Sequence, residues 1–263
     1  MSEKDLVRIG SETAKGGFAN EDAIKDKFNS WKKDKEAQKW LVIMGYNLKK
    51  IKDVKAVKLH GYKTDVHVKI FVSLSKTISI QNLSVKKAND DADYNQIDKR
   101  RVDKYIAMWK IPNKISTSLK IFSGEISPKE LLSKRMITQE KYNSLKDKRI
   151  FFLNEFGNRA KADLLNFFIE NKMLIVSDII KGNGAFAADW MLVTKYNMER
   201  DETSWVLADI NEAMNVFSQG EVTISPRGSL HIGQITMQRK GGDGGRDTAN
   251  MLQFKISPCE LFK

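Results

Sequence analysis

Two β-strand patterns placed back to back limit this chain more than any other feature. In "TDVHVKIFV" the alternation is strict: Val66, Val68, Ile70 and Val72 share one face, and Asp65, His67, Lys69 and Phe71 share the other. The next run changes parity, because Ile78 and Ile80 fall on one face while Leu83 and Val85 fall on the opposite one. A hairpin closing over "SLSKT" keeps all four inside only with a β-bulge near Gln81 and Asn82. Pairing Val72 with Ile78 and adding one residue at the bulge sets Val68 against Leu83 and Val66 against Val85. On the other face it sets His67 against Ser84 and Asp65 against Lys86. Asp65, Ser84 and Lys86 then converge at the open end of the hairpin.

The remainder of the chain alternates helical and strand patterns. Ile24, Phe28 and Trp31 share a helical face behind Asn20, which reads as an N-cap with Glu21 in the first turn. "NQIDKRRVDKYIAMWK" reads as a helix before Pro112, "STSLKIFSGEISPKELLSKRMITQEKYNSLKDKR" as short helices around a Ser-Gly loop, and "RAKADLLNFFIENK" as a clear helix. "MLIVSDII", "KGNGAFAAD", "WMLVTKY" and "WVLADI" read as strands, "NEAMNVFSQG" as a helix, and the tail as β-rich. The expectation is an α/β protein with a mixed central sheet flanked by helices. Residues 1–112 carry the N-terminal helix and this hairpin, 113–172 a mainly helical middle, and 173–263 a β-rich region that completes the same domain.

Composition narrows the partners. With 263 residues and 41% hydrophobic content the chain can bury a substantial core. The formal charge of +12 favours a polyanion such as nucleic acid, although lysine is spread along the whole chain. The lone cysteine, Cys259, excludes a disulfide framework and a thiolate zinc site, which suits a reducing compartment. "MSEKDLVRIGSETAKGGF" has no leader-like apolar core, and no apolar run approaches the roughly twenty residues that span a bilayer, so a cytoplasmic location is expected. His60, His67 and His231 are not spaced as a metal cluster.

From the residues alone, the Asp65–Lys86 pair reads either as a cross-strand ion pair or as part of a metal centre. An aspartate on one strand, facing a position and a lysine two apart on the next, resembles the PD-(D/E)XK nuclease core. More of the chain resembles the HinP-type restriction endonucleases: "SETAKGGFANE", "KEAQKWLVIMGYNL", "IKDVKAVKLHGYKTD", "YNQIDK", "DIIKGNGAFAADW", "INE", "ISPRGSL" and "QRKGGDGGRDTANMLQFKISP". The resemblance implies a restriction-endonuclease-like fold, Mg²⁺, and hydrolysis of double-stranded DNA at GCGC with a 5′ overhang, in a host with a cognate cytosine methyltransferase. Its catalytic motif corresponds to Thr64-Asp65, eighteen residues, then Ser84-Val85-Lys86, with Ser84 where the family carries glutamine. It makes Asp65 and the Val85 carbonyl metal ligands, Lys86 the group that orients the attacking water, Glu21 a second carboxylate and Ser84 a minor contributor.

Two patches have the chemistry to contact DNA. In the tail, Arg227, Gln238, Arg239, Lys240, Asp243 and Arg246 offer groups that bond base edges, and the glycines allow close backbone approach. In "DADYNQIDKRR", Tyr94, Asn95, Gln96 and Lys99 interleave an aromatic ring with amide and basic groups suited to a bent duplex. Two rivals stand beside the restriction enzyme: a DNA-binding protein whose nuclease centre Ser84 has weakened, and a nickase that acts on DNA structure.

Overall fold

The structure, a computed structural model, describes residues 3–59, 68–197, 200–240 and 250–263, with side chains from residue 16 onward. Its helices are α1 (Glu3–Asn29), α2 (Lys35–Ile43), α3 (Val102–Trp109), α4 (Asn113–Ser123), α5 (Pro128–Ser133), α6 (Gln139–Ser144), α7 (Asn158–Glu170), α8 (Lys172–Ile180) and α9 (Ile210–Ser218). The strands are β1 (Asp53–Lys58), β2 (Val68–Ser73), β3 (Ile78–Ala88), β4 (Asn95–Arg100), β5 (Trp190–Asn197), β6 (Glu202–Asp209), β7 (Val222–Ile224), β8 (Leu230–Ile232), β9 (Ile235–Arg239) and β10 (Leu252–Ile256). They fall into two compact units, each drawn from separate stretches of chain.

One unit comprises Ser11–Asn95, Ile180–Val216 and Ser257–Lys263. Its five-stranded sheet runs β1-β2-β3-β5-β6, with β3 and β5 parallel and every other pair antiparallel. This is the mixed sheet the sequence led us to expect. Ile24 and Phe28 of α1 and Trp40 and Leu41 of α2 join Val68, Ile70, Leu83, Val85 and Leu192 in one buried cluster. Each such aliphatic side chain, fully buried, contributes about 1.5–3 kcal/mol. Asp34 caps α2 by accepting the Ala37 N–H at 2.9 Å, and so fixes where that helix starts.

The other unit comprises Met1–Gly10, Gln96–Ile179 and Phe217–Ile256. Its sheet runs β4-β10-β9-β8-β7. Tyr105 stacks on Trp109 at 4.8 Å, and Phe254 meets both edge-on. Each polar tip in this aromatic group is satisfied: the Tyr105 hydroxyl donates to Asp98 and the Trp109 indole donates to Asp178.

The hairpin departs from expectation at its closed end. Partner numbers add to the same total from Ser73↔Ile78 to Val68↔Leu83, so β2 and β3 pair without a bulge. The expected Val68–Leu83 pair is present, but Val72 faces Ser79 and not Ile78. The parity change is absorbed by exposure: Ile78 and Ile80 stand 67% and 50% open to solvent. Ser79 and Gln81 turn inward in their place. Tyr46 donates to the Ser79 hydroxyl at 2.6 Å, Gln81 donates to Tyr46 at 2.7 Å, and Trp190 donates to the Gln81 carbonyl at 2.8 Å.

Other elements differ as well. Helix α1 runs through Asn20, which caps nothing and bonds Thr194 at 2.9 Å, so Glu21 lies mid-helix and is not a first-turn residue. "NQIDKR" is strand β4, and the helix starts only at Val102, whose N–H is taken by the Glu125 carboxylate. "MLIVSDII" is helical: Ile175, Val176, Ile179 and Ile180 are buried at helical spacing, whereas Met173 and Leu174 are exposed. Periodicity cannot separate a short buried helix from a buried strand. "KGNGAFAAD" is a loop with one tight turn at Gly184–Phe186, and Gly182 and Gly184 both adopt positive φ.

Candidate active site

Strand β3 carries the candidate centre, and the alternation of its side chains decides which way each residue points. Val85 lies in the cluster under α1, so Ser84 and Lys86 project to the opposite face of the sheet. In register with them across β5 are Met191 and Val193, both fully buried. Ser84 has no exposed surface and Lys86 only 5%. A lysine so deeply buried on a strand is uncommon. Among the described residues the Ser84 hydroxyl has no hydrogen-bond partner, and an unsatisfied buried hydroxyl costs about 1–3 kcal/mol.

Glu21 reaches the sheet from the α1 side. It is 8% exposed, and its carboxylate lies 3.2 Å from the Lys58 amine of β1. The Lys58 side chain, 7% exposed, also contacts Asp22 at 3.1 Å and the Phe18 carbonyl at 3.0 Å. Its hydrogen bond holds the Asp22 carboxyl below the usual range. Lys58 pairs with Val68, and Val68 with Leu83. Lys58 therefore lies two strands from the residue that precedes Ser84, roughly 10 Å at the usual strand spacing.

Lys58, the buried partner of Glu21, is a residue that the sequence reading missed. Its signal was present in "DVKAVK": Val54, Ala56 and Lys58 share one parity, which puts a lysine in line with buried apolar positions. Asp65, the acid expected opposite Lys86, lies outside the described residues, as do Thr64, His67, Asp243 and Arg246.

A divalent cation such as Mg²⁺ binds hard oxygen donors and keeps several of its waters. Among the described residues no three or more His, Cys, Asp or Glu side chains stand close enough to hold a metal. What β3 offers is a buried, unpartnered hydroxyl beside a buried lysine. Such a hydroxyl can serve a bound water in either direction, as donor or acceptor. That donor set fits a cation which retains its waters, and does not fit one that needs a full protein cage.

Of the residues expected to contact DNA, Tyr94 is 55% exposed and Asn95 and Lys99 are partly buried. Gln96 accepts from Gln253 at 2.8 Å. Arg227 is exposed in the turn before Gly228. Gln238 and Arg239 end β9, and Lys240 follows, its backbone N–H bonded to Met251. Arg239 is anchored within its own unit, donating to the Ser123 carbonyl at 3.0 Å and to Asn250 at 2.9 Å. Gly124 is needed for that anchor: its φ is +84°, and a Cβ there would lie 3.0 Å from the Asn250 side-chain oxygen.

No helix among the described residues is long and apolar enough to cross a membrane. A sequence model of the R.HinP1I restriction endonuclease family matches residues 44–262. Restriction endonuclease MspI, solved in complex with its cognate DNA, has a similar fold, with a TM-score of 0.62 at 13% identity over 94% of this chain and 92% of that one. No curated protein sequence matches the chain.

Proposed function

We propose a substrate, a metal and a division of labour for a chain that belongs to the R.HinP1I restriction endonuclease family and is a type II site-specific deoxyribonuclease. The substrate is duplex DNA at the palindrome GCGC, cut after the first guanine to leave a 5′ overhang. The metal is Mg²⁺. The host protects its own sites with a cytosine methyltransferase of the same specificity.

One observation carries the reading. Within the stretch that matches the family, a lysine is buried on a sheet strand two residues from a buried hydroxyl that has no partner among the described residues. A folding core has little use for either group, whereas hydrolysis of a phosphodiester needs a positioned water and a cation beside it.

Asp65 and the Val85 carbonyl would hold the metal, with Glu21 as a second carboxylate, directly or through water, at the end of the hairpin. When bound, the metal polarises the scissile phosphate and stabilises charge on it. Lys86 orients the attacking water and offsets the negative charge that builds up at the phosphate. Burial serves that role, because in a site sheltered from solvent the ammonium interacts more strongly with the phosphate. Ser84 contributes one hydrogen bond to the water network. Lys58 holds the Glu21 carboxylate in place through their ion pair at 3.2 Å.

The test is incubation of the purified protein with unmethylated phage DNA in Mg²⁺, beside EDTA and GCGC-methylated controls. Discrete fragments that disappear in both controls are expected. The DNA-binding rival is favoured by one observation, the neutral Ser84 where the family carries glutamine, and it predicts intact DNA despite GCGC-selective binding. Equal cutting of duplexes without GCGC would instead identify a nickase.

A further inference from the structure

The segment between α6 and α7, the least informative part of the sequence, brings an acid and an arginine to the end of β9. A cavity of about 260 Å³ is lined by Asp147, Arg149, Gln238, Arg239 and Lys240 over an apolar floor that includes Phe152. Leu145, Ile150 and Phe151, all buried, fix the segment on either side of the pair.

The guanidinium of Arg149 is held side-on. Its Nε donates to the Asp147 carboxylate at 2.9 Å and 3.1 Å, and one terminal nitrogen donates to the same carboxylate at 2.6 Å. Asp147 also accepts the Arg149 backbone N–H at 2.9 Å. This grip leaves the end of the guanidinium, the fork that matches two acceptors at once, for a partner outside the pair. The Arg149 side chain is 58% exposed, so a duplex can reach it.

We propose that Asp147 and Arg149 are specificity-determining residues, which together with Gln238 and Lys240 read the edges of a G·C base pair in the major groove. This inference rests on the reading of the chain as a site-specific DNA-cutting enzyme. Guanine presents two acceptors, O6 and N7, to an arginine fork, and cytosine presents an N4 donor to a carboxylate. The cluster holds both kinds of group in one recess, already oriented by their mutual bond. The Arg149 hydrogen bond holds the Asp147 carboxyl below its ordinary range, and Asp147 in turn raises Arg149. Each therefore keeps its charge across neutral pH and stays acceptor or donor as the base pair requires.

The test is selection of bound duplexes from a randomised library by the full-length protein, with Ca²⁺ in place of Mg²⁺. Arg149→Lys keeps the charge but loses the fork, and Asp147→Asn keeps the shape but loses the charge; melting curves confirm that each variant folds. The inference predicts that both variants lose at least about tenfold of the parent's preference at one symmetry-related base pair and keep it elsewhere, the scale of one bidentate base contact. Variants that bind every sequence more weakly by the same factor would reveal phosphate contacts only and overturn it. Variants with the parent's full preference would overturn it too. A parent that selects a site other than GCGC ends the GCGC reading, while relaxation at one position of that new site still supports the recess. A parent with no preference at all overturns both.

Discussion

The two halves of strand β3 both carry polar side chains into a buried face, and they treat them in opposite ways. At the outer end, Ser79 and Gln81 point inward among apolar neighbours, and Tyr46 and Trp190 close their hydrogen bonds into a chain. At the inner end, the Ser84 hydroxyl is buried with no partner among the described residues, two residues from a lysine that is 5% exposed. A polar network that is fully satisfied stabilises and specifies a fold. One left incomplete destabilises it, and survives where chemistry needs the open group.

Substitutions can break or sharpen this contrast. The largest stability effect belongs to Lys58→Met, which strips Glu21 of a buried partner at 3.2 Å. A loss of about 3 kcal/mol is expected in chemical denaturation, toward the lower end for breaking a buried pair. Double substitution with Glu21→Gln should recover part of that loss, because the buried carboxylate that Lys58 faced is then neutral. Tyr46→Phe removes the hydroxyl at the centre of the outer chain and should cost about 1 kcal/mol, with DNA cleavage unchanged. Smallest, and opposite in sign, is Ser84→Ala. Removing a buried hydroxyl that has no partner should leave the melting temperature unchanged or raise it, while cleavage falls by less than about tenfold. A marked loss of stability in Ser84→Ala would erase the difference between the two halves.

The same strand shows what could be read in advance. The hairpin, the Val68–Leu83 pair and the placing of Ser84 and Lys86 on one face all follow from local alternation, and the family match covers the strand that bears them. The bulge did not follow. It rests on the premise that Ile78 and Ile80 must be buried, but partners 35 and 109 residues away in sequence make Gln81 the inward residue instead. Long-range satisfaction of a polar side chain leaves no mark in a strand's own pattern. Helix α8 was hidden for a related reason, since the six apolar residues around Ser177 and Asp178 fit either period until Trp109 claims Asp178 on one face. Glu21 was found in the sequence but placed in a first helical turn behind an Asn20 cap, because nothing in "NEDA" reveals that α1 begins seventeen residues before Asn20, at Glu3. Lys58 was legible and overlooked.

The central claim, that the inner end of β3 is a reacting centre and not structural packing, is tested most directly by Lys86→Ala. Single-turnover cleavage and binding of one GCGC duplex would be measured on parent and variant side by side. The account predicts binding within about threefold of the parent and a cleavage rate lower by about 10³-fold, within the range for loss of a residue that handles protons at the reacting group. Cleavage retained in a folded Lys86→Ala variant would contradict it and make the buried lysine part of the fold.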